Sequence, residues 1–451
     1  MKEILAETSP AKMLCGAQKI IQDKSYRRSS HIVSAQCEDG TLLFHTLTGA
    51  MYLFDNGETP EDHRDHFIKN RFLVPEDFDD NAYADGIRTA ARVLQPKHRH
   101  ITSFTILTTT DCNARCFYCY EMGRKRENMS AQTALDCAKY IARVCGQLTD
   151  KGEKTTETVS PVKLSWFGGE PLYNAEAIDI ITSYLTQKDI AFESIITTNG
   201  LYLDADTAKK ARRDWHLKSA QITIDGTKDV YNRTKAYIDK YDDPHEIVLT
   251  NIENALKEGI RIFVRLNMDS KNADDLIRAV DNMTPRLKGK GDCRFLVAML
   301  REFKGKINEF DTEEAAAEKC VALLKKIEEA GFDREFKLDR ELHVNRCMAD
   351  NDGAQVLLPE GLIGKCEHFS ETEIIGDIYS PERDVKLIES WKKTLPPFSE
   401  CEGCPVYPRC YNLAKCDWTK DGCPQSVKLI RIYNLQRQMQ RAYNDYKSAS
   451  N

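Results

Sequence analysis

The stretch Cys112-Asn113-Ala114-Arg115-Cys116-Phe117-Tyr118-Cys119 places three cysteines within eight residues, spaced C-x3-C-x2-C. It directly follows residues 103–108, a run rich in strand-forming side chains. Three thiolates on one short loop can hold three irons of a [4Fe–4S] cube, which normally takes four cysteines. The fourth iron is then free to bind another molecule, as the open position of a catalytic metal site is. A zinc loop and unrelated core cysteines are the alternatives.

The composition is that of a soluble protein with two to four domains. The chain has 451 residues, of which 30% are charged and 41% hydrophobic. It has no apolar run long enough for a transmembrane helix and no apolar segment typical of a secretion signal, so we expect a cytoplasmic protein without a membrane partner. Sixteen cysteines in such a protein favour metal ligation over disulfides. A net charge of −6 excludes a general attraction to nucleic acid.

Between residues 101 and 310, strand-like runs alternate with helical patterns. The six runs cover residues 103–108, 162–167, 194–198, 220–224, 261–268 and 293–300. Repeated βα units predict a parallel sheet with helices outside it, so the fold class is α/β with a partial (β/α)6 barrel. Barrels carry catalytic groups at the carboxyl ends of their strands, and the cysteine loop follows the first run at that end.

Several later strand-like runs end in glycine or in polar side chains, which suit ligand contact. Paired glycines after the second run let the backbone approach a ligand closely. In the fifth run, polar side chains that satisfy each other are the alternative to ligand contact. The candidate residues are Gly168, Gly169, Glu170, Arg265 and Asn267.

The C-x3-C-x2-C spacing, with the aromatic Tyr118 before the third cysteine, resembles the signature of the radical S-adenosylmethionine (SAM) enzymes. In that family the open iron chelates SAM, and one electron cleaves it to a 5′-deoxyadenosyl radical. The segments 168–170, 198–200 and 223–226 are similar to the family's SAM-contacting motifs, with Thr223 where serine is more usual. The resemblance implies that Cys112, Cys116 and Cys119 hold the cluster. It also implies that five further residues join the five candidates above in binding the cofactor, namely Tyr118, Thr198, Asn199, Thr223 and Arg233.

A second group of seven cysteines lies between residues 347 and 423. Its spacing resembles the SPASM domain, which carries auxiliary [4Fe–4S] clusters, although five residues lie between Cys410 and Cys416 where the family usually has three. The resemblance implies three clusters in all. One auxiliary cluster would take Cys401, Cys404, Cys410 and Cys423, and the other Cys347, Cys366 and Cys416. The missing ligand of the latter would be a substrate thiolate, Cys320 or Cys293, or His343; a pair of zinc sites is the alternative for the whole group.

The pattern divides the chain into five segments, namely an N-terminal α+β module (1–95), the barrel (101–310), a bridging helix (311–340), the SPASM domain (341–430) and a C-terminal helix (431–451). The N-terminal module resembles the winged-helix-like peptide-recognition domains of peptide-modifying radical SAM enzymes, which bind a leader peptide as an edge strand. Its alternative is a structural extension. Glu367, next to Cys366, is a candidate catalytic base, with a solvated carboxylate as its alternative.

These resemblances imply a radical SAM/SPASM maturase of ribosomal peptides that binds SAM and acts on a precursor peptide with a leader. Flavodoxin or ferredoxin would supply its electron. The expected product is a thioether between a cysteine sulfur and a carbon. Alternatives are a carbon–carbon or carbon–oxygen crosslink, an oxidase of the sulfatase-maturase kind, and a non-catalytic electron carrier or zinc scaffold.

Overall fold

The computed structural model describes residues 1–8, 13–21, 23–55, 57–94, 98–149, 153–155, 159–300, 309–332, 337–340, 347–369, 372–407, 409–410, 413–417, 420 and 422–450. The chain forms two compact units. The terminal unit comprises Met1–Pro96, Glu335–Arg346 and Lys393–Asn451, and the barrel unit comprises Lys97–Arg334 and Cys347–Lys392. No helix in the described ranges is both long and apolar enough to cross a membrane.

The described strands and helices are numbered in chain order. The strands are β1 Lys2–Leu5, β2 Tyr26–Arg28, β3 Ile32–Cys37, β4 Gly40–His45, β5 Met51–Phe54, β6 Leu73–Pro75, β7 Ser103–Thr109, β8 Val162–Gly168, β9 Phe192–Thr198, β10 Leu217–Thr223, β11 Arg261–Met268, β12 Cys293–Met299, β13 Ala354–Leu357, β14 Leu362–Gly364 and β15 Ile374–Asp377. The helices are α1 Arg64–Lys69, α2 Asp80–Val93, α3 Ala131–Val144, α4 Ala175–Gln187, α5 Ala205–Arg213, α6 Lys228–Lys235, α7 Pro244–Lys257, α8 Ala273–Leu287, α9 Glu313–Glu329, α10 Val385–Trp391 and α11 Gln425–Ser450.

The barrel unit is built on a nine-stranded sheet in the order β12-β11-β10-β9-β8-β7-β13-β14-β15. Strands β7 to β12 are parallel and neighbour each other in chain order, which confirms the six predicted βα units. Strand β13 adds a seventh parallel strand beside β7, and β14 and β15 continue the sheet antiparallel. Because β7 to β12 all run the same way, their carboxyl ends meet at one edge of the sheet.

The terminal unit contains a four-stranded antiparallel sheet in the order β1-β5-β4-β3 and the small pair β2-β6. Strands β4 and β5 pair with each other as an antiparallel hairpin. In β3, Val33 and Ala35 are buried while Ser34 and Gln36 are exposed, the alternation expected of a strand with one covered face. The long helix α11 packs against that face, with Met439 in the shared core.

The predicted cysteine-rich domain, residues 341–430, is divided between the two units. Residues 347–392 extend the barrel sheet through β13 to β15, while residues from Lys393 onward belong with the N-terminal module. The predicted bridging helix forms as α9, which begins after Thr312, whose side chain accepts the hydrogen bond of the Ala315 N–H. The bounds of the 341–430 segment therefore differ from the units in the structure. Residues 95–97, at the junction of the N-terminal module and the barrel, lie outside the described residues.

Candidate iron–sulfur and cofactor site

The cysteine loop begins directly after β7 and is shaped by local hydrogen bonds. The Asp111 N–H donates to the Thr109 hydroxyl over 2.9 Å, and the Cys112 N–H donates to the Asp111 carboxylate over 2.8 Å. Burial raises the pKa of Cys112 to about 12 and that of Cys119 to about 11. Glu170 and the thiols of Cys116 and Cys119 add to the shift of Cys112, and Glu121 and the Cys116 thiol add to that of Cys119. A thiolate is the form that ligates iron, so this loop needs a positive partner to hold its thiolates.

Glu170 connects the ends of β8 and β9 beside this loop. Its carboxylate is fully buried and accepts hydrogen bonds from the Thr198 hydroxyl (2.7 Å), the Asn199 N–H (2.7 Å) and the Leu172 N–H (3.0 Å). The Asn199 side chain in turn donates to the side-chain oxygen of Asn113 over 2.7 Å. Burial raises the pKa of Glu170, and these hydrogen bonds oppose the shift. Three of the predicted residues are thus brought together at the cysteine loop.

The paired glycines have a packing role that the sequence did not indicate. A Cβ at Gly168 would lie 2.0 Å from the main-chain oxygen of Thr109, and one at Gly169 would lie 2.2 Å from that of Asp111. Gly168 also has φ +119°, a left-handed conformation that favours glycine. The glycines therefore let the end of β8 contact the start of the cysteine loop. Ligand approach to this turn stays a prediction.

A buried charge pair lies beside the cysteine loop, and sequence reasoning missed its cation. The Asp225 carboxylate accepts a hydrogen bond from the Tyr118 hydroxyl over 2.7 Å and pairs with the Lys235 ammonium at 3.1 Å. Asp225 is 0% and Lys235 3% exposed. Burial lowers the pKa of Lys235, but Asp225, together with Tyr118, Cys116 and Tyr231, raises it well above its usual value.

The charge of this lysine acts on the loop. Burial raises the pKa of Cys116, and Lys235 opposes the rise. The predicted Arg233 is exposed, so helix α6 presents Lys235 to the loop instead. One feature of the sequence could have identified Lys235 as a site residue. It lies in the short helix that follows the Asp225-Gly226 turn, two positions after the predicted Arg233.

Thr223, Arg265 and Asn267 lie on neighbouring strands at the same edge. Thr223 is paired in register with Arg265. The Arg265 Nε–H donates to the Asn267 side-chain oxygen over 2.8 Å, so these two satisfy each other. Asn272 anchors the strand ends by donating to the main-chain oxygens of Asn267 and Asp225.

Glu367 is held near the segment that follows the cysteine loop. The Arg124 guanidinium donates to the main-chain oxygens of Glu367 (3.1 Å) and His368 (2.6 Å). The rings of Tyr120 and His368 are 4.0 Å apart. Burial raises the pKa of Glu367, and Arg124 opposes the rise. Cys366 and Glu367 thus belong to the barrel unit, where Glu367 and His368 contact the segment that follows the cysteine loop.

The downstream cysteines divide between the units. In the terminal unit, burial raises the pKa of the Cys401 thiol, and the nearby thiols of Cys410, Cys404 and Cys423 raise it further. The four predicted ligands of one cluster therefore lie near one another. The Arg431 guanidinium donates to the Cys410 sulfur over 2.7 Å.

Of the second predicted set, Cys347 and Cys366 lie in the barrel unit and Cys416 in the terminal unit. His343 lies outside the described residues. Within the described ranges, no three Cys, His, Asp or Glu side chains converge on a single point. A cube binds each thiolate at a separate iron, so its ligands surround a cluster.

The residues at the strand edge fit an iron–sulfur cluster with a polar ligand. Three cysteines share one loop, and a buried lysine provides positive charge behind them. The Asp225 Oδ1 atom is buried and accepts no hydrogen bond from the described residues, so it remains available as an acceptor. Such a donor set suits a cluster whose bound ligand carries hydroxyl or amino groups.

Comparison with known proteins gave matches over the barrel. The family described as a 4Fe-4S single cluster domain matches residues 102–237. A probable GTP 3′,8-cyclase of Methanococcus maripaludis is 32% identical over 127 residues, which are 28% of this chain and 37% of the relative. The chain thus spans little more than a third of the length of this relative. A GTP 3′,8-cyclase of Clostridium perfringens is 26% identical over 286 residues, 60% of this chain and 82% of the relative.

A solved structure has a similar fold over most of this chain. Streptococcus suis SuiB bound to the precursor peptide SuiA matches with a TM-score of 0.52 at 13% identity, covering 89% of this chain and 99% of that chain.

Proposed function

We propose that this chain, which belongs to the radical SAM enzymes, is a maturase that crosslinks a precursor peptide. The observation that carries the proposal is the cysteine loop at the carboxyl end of β7, with the buried Asp225–Lys235 pair behind it and Glu170 beside it. The second group of cysteines and the N-terminal sheet, which a barrel alone does not need, point to auxiliary clusters and a peptide substrate.

The residues of the barrel edge would hold and shield the cofactors. Cys112, Cys116 and Cys119 would bind the first cluster, with Lys235 offsetting its negative charge. The buried Oδ1 of Asp225 would accept a hydrogen bond from SAM. When bound, the clusters and SAM supply a carbon-centred radical and an electron acceptor. The other predicted cofactor contacts keep the roles that the family resemblance implies.

The auxiliary clusters would take the downstream cysteines, and a thioether is the product we favour. Cys401, Cys404, Cys410 and Cys423 supply four thiolates for one cluster. Cys347, Cys366 and Cys416 supply three for the other, which leaves one position for a substrate thiolate. Glu367 would take up the substrate's proton, since its raised pKa makes its carboxylate a stronger base.

The antiparallel sheet of the terminal unit offers an edge for a leader peptide. At the β3 edge, the main-chain oxygens of Ser34 and Gln36 already accept hydrogen bonds from the side chains of Gln436 (2.9 Å) and Gln440 (2.7 Å). The opposite edge is β1, which has only four residues. We therefore place the leader at the β1 edge, where it pairs with β1 or replaces it.

The leader site is tested by deleting residues 1–5 and measuring leader affinity by fluorescence anisotropy, using the N-terminal half of a small precursor peptide encoded beside the gene. A leader that pairs with β1 loses affinity after the deletion, and a leader that replaces β1 gains it. Unchanged affinity would exclude the β1 edge. The sulfatase-maturase alternative predicts no leader binding at all.

Iron and sulfide analysis after anaerobic reconstitution tests the cofactors. Three clusters predict about twelve irons per chain, falling to about eight when Cys112, Cys116 and Cys119 are changed to alanine. The core variant Cys137→Ala, in α3, is the matched control and should keep the full count. About four irons falling to none, with zinc bound downstream, would favour a zinc scaffold there.

Product analysis separates the remaining alternatives. With a reductant and SAM, the wild type should release 5′-deoxyadenosine, and an inert protein would be the electron carrier or scaffold. A thioether removes two hydrogens from the peptide and one alkylatable thiol, whereas a carbon–carbon or carbon–oxygen crosslink leaves that thiol reactive. A flavodoxin or ferredoxin would be the physiological reductant. We place the enzyme in the cytoplasm, because a chain with sixteen cysteines, ten of them proposed as cluster ligands, suits a reducing compartment.

A further inference from the structure

The barrel unit contains a cavity of about 630 Å³ away from the cysteine loop. It lies between the end of helix α3 and the added strands β13 to β15, with Tyr140, Arg143 and Gln355 among its lining residues. Ala354, also in the lining, is paired with Ser103, the first residue of β7, whereas the cysteine loop follows the last. The cavity and the cofactor site are therefore at opposite ends of the same strand.

Three cationic side chains face this cavity, namely Arg143, Lys365 and Arg383. Lys365 is 3% exposed, and its ammonium donates to the main-chain oxygens of Asn351 (2.7 Å) and Ala354 (2.9 Å). Its hydrogen-bond acceptors are neutral, so they orient the ammonium without cancelling its charge.

Tyr140 positions the two arginines. Its hydroxyl donates to the Gln355 side-chain oxygen over 2.8 Å and accepts from Arg383 over 3.0 Å. Both guanidiniums stack on its ring, at 5.4 Å for Arg143 and 5.8 Å for Arg383. Their other acceptors are main-chain oxygens, including that of Ile378 for Arg143.

None of these three cations forms an ion pair with a carboxylate of the described residues. Asp352, the one acid in the lining, pairs with Lys392 at 2.7 Å. Asp352 and Asp350 act on Lys365 only at longer range. Three positive charges against one already paired carboxylate leave the cavity electropositive. Because buried charge is costly unless it is compensated, the arrangement suits a bound anion.

We propose that this cavity binds a small anionic metabolite whose phosphate or carboxylate group contacts Arg143, Lys365 and Arg383. Apolar side chains complete the lining, so the rest of the molecule has an apolar body; these are Ile101, Val144, Ile375, Pro381 and Ile388. The volume is within the range of ligand pockets. The site is independent of the proposed peptide chemistry, because it shares no residue with the cysteine loop.

Isothermal titration calorimetry at low ionic strength tests the proposal, with the full-length reconstituted protein saturated with SAM so that the cofactor site is filled. The probes are inorganic phosphate, AMP and citrate. We expect at least one to bind, and Arg143→Gln and Arg383→Gln each to weaken that binding about tenfold, because each removes a charge-assisted hydrogen bond. Lys139→Gln removes the same charge from the exposed face of α3 and should change nothing.

The probe that binds identifies the anion. Binding of phosphate or AMP without citrate assigns a phosphorylated ligand, and binding of citrate alone assigns a carboxylate. The proposal fails if no probe binds, or if Lys139→Gln weakens binding as much as the two arginine variants do.

Discussion

Replacing Lys235 by methionine should strongly destabilise the barrel unit. The change keeps most of the side chain's length but leaves the Asp225 carboxylate buried without its cation, where the two groups are 3.1 Å apart and 0% and 3% exposed. Tyr118 continues to donate one hydrogen bond to that carboxylate, whose other oxygen accepts none from the part of the chain that the structure describes. Removing one partner of a buried pair costs about 3–5 kcal/mol, so we expect a loss of that size in the free energy of unfolding.

The double variant Lys235→Met/Asp225→Asn is the matched control. Asparagine retains an oxygen that accepts the Tyr118 hydrogen bond but carries no charge. Replacing both members of a buried pair by neutral groups is often close to neutral, so the double variant should recover more than half of the lost stability.

The assay is anaerobic urea unfolding followed by tryptophan fluorescence. Trp166 and Trp215 are 0% and 1% exposed in the barrel unit, so their emission reports its unfolding. The reasoning is refuted if the single variant loses less than about 1 kcal/mol, or if the double variant is at least as unstable as the single one. The single variant should also make the first cluster harder to reduce, because a positive charge near it is lost; potentiometry measures this.

Three further predictions concern packing, pH and the sheet edge. Gly169→Ala should destabilise the barrel by about 1–3 kcal/mol in urea unfolding, because its Cβ would lie 2.2 Å from a main-chain oxygen, whereas Gly86→Ala, with open space around it, should be neutral or stabilising. The pKa of the buried His45 is lowered by burial to about 3, so the unfolded chain alone takes up its proton as the pH falls below about 6.5, and stability should drop by about 2 kcal/mol between pH 7 and pH 5. His45→Gln should reduce that drop, and an equal drop would show that another group titrates. Gln436→Ala/Gln440→Ala should speed hydrogen exchange in β3 and leave leader affinity unchanged; a lower affinity would move the leader to the β3 edge.

The sequence was most informative where the signal is local. Six alternating βα patterns predicted β7 to β12 within a few residues at either end, because periodicity and turn residues act over neighbouring positions. The cysteine spacing likewise identified the loop after β7, since its three thiols are contiguous in the chain. Glu170, Thr198 and Asn199 were predicted at strand ends, and parallel strands bring such ends to one edge.

Contacts between distant parts of the chain were decided by the tertiary structure. Two basic residues of α6 are two positions apart, and only the burial of Lys235 against Asp225 shows which one faces the cysteine loop. Gly168 and Gly169 are required because they pack against the main-chain oxygens of Thr109 and Asp111, which lie more than fifty residues earlier in the sequence.

The same holds for the cysteine-rich segment. Its first part joins the barrel by pairing β13 with β7, and its second part packs against Leu47 and Ala84 of the N-terminal module and Ile432 of α11. Spacing alone carries no information about such partners, because burial and pairing depend on what the rest of the chain places opposite each residue. The sequence by itself therefore determined the strands and the cysteine loop, and the tertiary structure decided which charges, glycines and strands meet there.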